Sequence, residues 1–173
     1  MQQMKQHIFL IGFMGVGKST ISQELKQLFE VEEIDTDACI VQKEGRPITD
    51  IFAEDGEAYF RSVETGILND LKSVAPAIIS CGGGMVMREE NVIKMKEQGK
   101  IILLMATPQT IYERVKDSTD RPLLNGHMNV DYIRQLIEAR MPKYEAAADI
   151  MIHTDGRAPA EIAKEIGDKF SLV

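Results

Sequence analysis

Residues Gly12 to Thr20 read Gly-Phe-Met-Gly-Val-Gly-Lys-Ser-Thr, a fit to G-x-x-x-x-G-K-[ST]. This spacing suits a phosphate chain. Glycines let a loop wrap the anion without Cβ clashes, and backbone N–H groups turn inward to meet its oxygens. Lys18 can neutralise terminal phosphates, and the Ser19 hydroxyl can ligate Mg2+. A helix starting at the end of the loop would add its dipole.

Further along, Ile34-Asp35-Thr36-Asp37 places two carboxylates at the end of a short apolar run. Beside a phosphate loop they suit a Mg2+ contact and a base or orienting group for an attacking hydroxyl. The alternative is that Asp37 only caps the next helix. Glu57, Arg61 and Glu64 share one side of a helix. They form either a solvated ion-pair stripe or a frame that fixes Arg61 so that its fork can grip a carboxylate. Cys81 is followed by Gly82-Gly83-Gly84. Three glycines after a strand suggest a ligand against bare backbone, and Cys81 itself reads as a small buried spacer. Arg121, in Asp120-Arg121-Pro122, is either a surface side chain or a clamp reaching over the phosphates. Arg140 continues the inward series Val130, Ile133, Ile137. A charge there needs a partner or an anionic ligand, unless it snorkels to solvent. Pro142, just beyond, is expected to bend or break that helix.

These groups need elements to carry them. Strand-like runs recur at Ile8 to Ile11, Val31 to Ile34, Ala77 to Ser80, Ile101 to Met105 and Ile150 to His153. They are continuous rather than alternating, as in a parallel sheet covered on both faces. Helical patterns fall at roughly 19–29, with Ile21, Leu25 and Leu28 on one face, and at 47–54, 57–73, 108–117, 129–146 and 159–170. On 57–73 the expected seam is Phe60, Val63, Ile67 and Leu71. Alternating strands and helices imply a three-layer α/β/α domain, with ligands at the carboxyl ends of the strands. Residues 117–128 are polar and irregular, long enough to act as a mobile lid. No repeat or linker divides the chain, so one domain over 1–173 is expected.

Composition narrows the partners. The net charge of -7 argues against nucleic-acid or membrane binding, which need a positive field. No stretch has the length and character of a membrane span or a secretory signal, so a cytoplasmic location is expected. The two cysteines, Cys39 and Cys81, lack metal-like spacing and read as reduced thiols.

Taken in order, Gly12 to Thr20, Asp35-Thr36-Asp37, Ile51-Phe52 with Gly56-Glu57 and Phe60-Arg61, Gly82-Gly83-Gly84, Arg121-Pro122-Leu123-Leu124, and Arg140 with Tyr144 resemble the shikimate kinase family along nearly the whole chain. The resemblance implies the P-loop kinase fold, with a central parallel sheet of about five strands. It also implies transfer of phosphate from Mg·ATP to the 3-hydroxyl of shikimate, on the route to chorismate and aromatic amino acids. Carried onto this sequence, Gly15, Val16, Gly17, Lys18, Ser19 and Thr20 would bind ATP phosphates, with Ser19 on Mg2+ and Asp35 on the metal through water. Asp37 would accept or orient the hydroxyl, Arg61 and Arg140 would grip the carboxylate, and Gly83 would offer backbone contact. Lys18, Asp37 and Arg121 would be the catalytic groups, with Arg121 closing over the phosphates. Arg114 and Arg157 would lie on the adenine side, although Gly156 stands where the family commonly has a bulkier residue. The family also lacks an acidic Walker B strand end, as does Cys81-Gly82-Gly83-Gly84. A monomer is expected. Two other functions stay open: a kinase for another small acceptor, such as gluconate or a nucleoside monophosphate, and a nucleotide-binding module without catalysis.

Overall fold

An unbroken apolar run can satisfy its backbone only inside a covered sheet, and β1 (His7–Ile11) is buried along its whole length. The computed structural model describes residues 3–117 and 129–171. Nearly all of the expected lid, Arg121 included, lies outside the described residues.

Four strands join β1: β2 (Glu33–Asp35), β3 (Ile78–Ser80), β4 (Gly99–Met105) and β5 (Ile150–His153). All pairings are parallel, and the order is β2-β3-β1-β4-β5. The register pairs Leu10 with Ser80 and Asp35 with Ser80. The chain after β1, β2 and β3 therefore emerges at one edge, where the ligand crevice of an open α/β sheet lies.

Side chains alternate across the sheet and build two cores. Ile8, Leu10, Ile102 and Leu104 pack with α1 (Lys18–Phe29), α5 (Pro108–Val115) and α7 (Pro159–Phe170). On the other face, Phe9, Ile11, Ile101 and Leu103 pack with α2 (Thr36–Glu44), α3 (Ile48–Asp70) and α4 (Glu89–Gln98). The three-layer expectation holds. Helix α6 (Val130–Ala147) serves both layers: Ile133 and Ile137 belong to the first core, Tyr144 and Ala147 to the second. Arg140 stands at the changeover, which is how a charge can continue an apolar series without entering either core.

Several expectations needed correction. Helix α1 buries Ile21, Ser22, Leu25 and Phe29, whereas Leu28 is exposed. Helices α2 and α4 had no sequence signal, because each buries only two residues: Thr36 and Ile40 in one, Asn91 and Met95 in the other. Pro142 does not break α6, which continues to Ala147; the lost N–H simply removes one bond from the ladder. Strand β5 alternates, with Met151 and His153 exposed, because it is an edge strand covered on one face. The predicted break between residues 54 and 57 is present: Gly56, at φ 86° and ψ 172°, divides α3 into two helical parts. The seam Phe60, Val63, Ile67 and Leu71 is buried as expected.

Candidate active site

The loop between β1 and α1 is shaped by glycines whose positive φ disfavours any other residue. At Gly12, φ is +147°, and a Cβ would stand 2.5 Å from the Leu104 carbonyl oxygen. Gly17, at φ 97°, precedes α1 and brings no capping side chain. The first N–H groups of a helix have no partner within it, so the helix end is open to an anion. Lys18 curls over the loop, its Nζ donating to Gly12 O at 2.6 Å and Phe13 O at 3.2 Å. Ser19 and Thr20 are exposed beside it, and Arg114 of α5 donates to Gly15 O at 2.9 Å.

The two carboxylates at the junction of β2 and α2 divide their work differently from the capping alternative. Asp35, not Asp37, caps α2, its Oδ1 accepting from Ala38 N at 3.0 Å. Asp37 sits in the first helical turn with its carboxyl turned to the cleft. Burial, and then the negative charge of Asp35, push its pKa above the ordinary 3.8, while Lys18 and Arg61 pull the other way. Thr36 ties this turn to the glycine run by accepting from Gly82 N at 3.0 Å.

At Gly82-Gly83-Gly84 the groups pressed against the backbone are the protein's own side chains. A Cβ on Gly82 would lie 2.7 Å from Asp37 Oδ1. On Gly83 it would meet Arg140 Nη1 at 3.1 Å, and on Gly84 both Arg61 terminal nitrogens at 2.5 and 2.6 Å. Three separate elements thus deliver a carboxylate and two guanidinium groups to three consecutive residues.

Arg61 is framed rather than solvated. Its Nη1 donates to Glu64 at 2.7 Å and its Nη2 to Glu57 at 3.4 Å. Glu64 is 0% exposed, which rules out a solvated stripe. Its Oε2 has no hydrogen-bond partner among the described residues, and burial raises its pKa against the pull of Arg61. Each arginine also rests on an aromatic ring, Arg61 over Phe60 at 5.2 Å and Arg140 over Phe13 at 5.8 Å. Cys81 is buried and its thiol is pushed up by desolvation, consistent with an inert spacer.

Behind the glycines lies a network that the sequence did not reveal. Asn91, fully buried, accepts from Thr65 Oγ1 at 2.7 Å and donates to Met85 O at 2.9 Å. Arg88 Nη1 donates to Arg61 O and Thr65 Oγ1, both at 3.0 Å. One buried Asn in a polar stretch carries no periodic signal, so nothing in the sequence pointed to it.

A cleft of about 1230 Å³ joins these groups, lined among others by Lys18, Asp37, Arg61, Gly83, Arg114 and Arg140. Of the expected site residues that are described, two do not line it: Val16, whose side chain is buried in the first core, and Arg157. The Arg157 guanidinium is held by His153 O and by Glu161 and Glu165 of α7. Among the described residues no cluster of three or more His, Cys, Asp or Glu side chains could hold a metal by itself. The oxygen donors Ser19, Asp35 and Asp37 along the cleft suit a hard cation that arrives with phosphates and keeps several waters.

The parallel sheet, the phosphate loop and an acceptor cleft with two arginines define a P-loop kinase. A family profile described as shikimate kinase matches residues 14–171. The shikimate kinase of Dehalococcoides mccartyi (strain ATCC BAA-2266 / KCTC 15142 / 195) is 42% identical over 96% of this chain and 94% of its own. Among solved structures, the shikimate kinase of Acinetobacter baumannii in complex with shikimate superposes with a TM-score of 0.91 at 30% identity, covering 98% of this chain and 95% of that one. That of Aquifex aeolicus gives 0.82 at 37% identity, covering 95% and 96%. The chain belongs to the shikimate kinase family and is a kinase.

Proposed function

We propose that this enzyme transfers the γ-phosphoryl group of ATP to the 3-hydroxyl of shikimate, releasing ADP and 3-phosphoshikimate, in chorismate and aromatic amino acid biosynthesis. The observation that carries the reading is the convergence of Asp37, Arg61 and Arg140 on Gly82-Gly83-Gly84, in one cleft with Lys18. Two guanidinium groups match a carboxylate, and a carboxylate beside them matches an alcohol.

Gly15 to Thr20 bind the phosphates, and Lys18 leaves the loop carbonyls to follow the transferring group. Ser19, and Asp35 through water, would hold Mg2+, which when bound supplies charge neutralisation to the phosphates. Asp37 orients the hydroxyl and accepts its proton; its raised pKa keeps it basic enough for that task. Arg61 and Arg140 anchor the acid, and the Gly83 backbone borders the ring. Phosphoryl transfer asks the protein mainly for positioning, and aligned reactants account for roughly 7–11 kcal/mol of barrier.

Arg114 faces the nucleoside side. The N–H groups of Arg157 are engaged with His153 O and with α7, so an adenine would meet the flat face of its guanidinium. Arg121, outside the described residues, would close over the phosphates. One domain over 1–173 supplies every one of these groups, so a monomer suffices. No helix among the described residues is long and apolar enough to cross a membrane, and ATP as co-substrate fits a cytoplasmic enzyme.

A coupled assay for ADP, run with shikimate, with gluconate and with no acceptor, tests the proposal. Release that depends on shikimate supports it. Release with gluconate alone, or independent of any acceptor, overturns it.

A further inference from the structure

A glycine is normally required where the backbone takes φ values forbidden to other residues. Gly84 is not such a place. Its φ of -101° and ψ of 4° are open to any residue, and none of Gly82, Gly83 and Gly84 is among the positive-φ glycines. What bars a side chain at Gly84 is Arg61: a Cβ would stand 2.5, 2.6 and 2.7 Å from Nη1, Nη2 and Cζ of that guanidinium.

The end of a long arginine would ordinarily swing away at little cost. Arg61 is not free to do so unharmed. Glu64, buried beneath it, accepts its Nη1 at 2.7 Å, Glu57 borders its other edge, and the Phe60 ring lies 5.2 Å from Cζ. Displacement away from residue 84 strains the charged bond to Glu64, and shifts the fork from its place in the cleft that it shares with Arg140.

We propose that Gly84 is a positioning residue for substrate binding: by lacking a side chain it lets the Arg61 guanidinium lie flat on the loop after β3, at the height from which it grips the acceptor's carboxylate. Gly84 touches neither phosphate nor acceptor in this scheme and acts only through Arg61. The inference rests on the reading of Arg61 as a carboxylate anchor. It deepens that reading by naming what sets the anchor's position.

The test is a double-mutant cycle with steady-state kinetics. Gly84→Ala should raise the KM for shikimate about tenfold to a hundredfold, the scale of a roughly 1 Å misplacement, with kcat and the KM for ATP little changed. Arg61→Ala should raise the same KM. The double variant Gly84→Ala/Arg61→Ala should match Arg61→Ala alone, because the methyl group then meets empty space. Additive losses, or an unaltered KM in Gly84→Ala, would overturn the role of Gly84 while leaving Arg61 as anchor. An unaltered KM in Arg61→Ala would overturn the anchor itself, and the inference with it. Should Gly84→Ala fail to fold, the double variant still decides: folding as Arg61→Ala does supports the steric account, and failing too refutes it.

Discussion

Tyr144 donates a 2.7 Å hydrogen bond to the carbonyl of Gly83, one turn beyond Arg140 on α6. The same glycine would meet Arg140 Nη1 at 3.1 Å if it carried a Cβ. Two residues of one helix therefore meet the middle glycine on the side where a Cβ would stand, the phenol by a bond and the guanidinium by contact. This is how α6, on its way from one core to the other, is fixed against the loop after β3.

Tyr144→Phe removes the bond to the half-buried Gly83 carbonyl, which faces the cleft. The expected loss of stability is about 0.5–1.5 kcal/mol, read by urea denaturation, with a rise in the KM for shikimate and no change in that for ATP. Unchanged stability would show that water replaces the phenol.

Arg140→Ala should weaken shikimate binding by about 2–5 kcal/mol if its charge pair is desolvated in the complex. Titration calorimetry with shikimate gives the answer. An unaltered Kd would place that side chain outside the acceptor site.

Asp37→Asn should lower kcat far more than ATP affinity. In the native protein, kcat/KM should fall on the acid side at a pH above 3.8, because burial and Asp35 raise this carboxyl. Stability should move the opposite way. A carboxyl whose pKa is higher folded than unfolded binds more protons when folded, so stability falls as pH rises through that interval. Asp37→Asn should therefore stabilise the protein at neutral pH, and the gain should vanish below 3.8, where both states are protonated. A Tm difference independent of pH would contradict this.

Asn91→Ala strips Met85 O of its side-chain donor in a buried setting, whereas Thr65 Oγ1 keeps Arg88 and Arg61 O. The expected cost is about 1–3 kcal/mol by denaturant unfolding. A loss under ~0.5 kcal/mol would mean that the network behind the glycines is rebuilt without it.

The phosphate loop, the α3 seam with its break at Gly56, and the parallel sheet were legible because each rests on local pattern: a motif, a period, or an apolar run. Helices α2 and α4 were not, since two buried residues apiece leave no period to detect. Among the site residues, Arg140 was legible as a charge on an apolar series. Glu57, Arg61 and Glu64 were legible as a trio but not as a frame. Spacing along a helix is the same whether its side faces water or a second element, and only the second core decides that Glu64 is buried.

The chain by itself determined which chemical groups exist and in what order: a glycine loop with a lysine, paired aspartates, three glycines, and arginines at fixed helical positions. Tertiary structure alone decided which of them meet. Asp37, Arg61 and Arg140 come from α2, α3 and α6, yet each abuts a different one of three successive glycines. The reason is packing. A side chain's neighbours across a sheet edge depend on strand order and on the volume left by residues distant in sequence, and no local period records either.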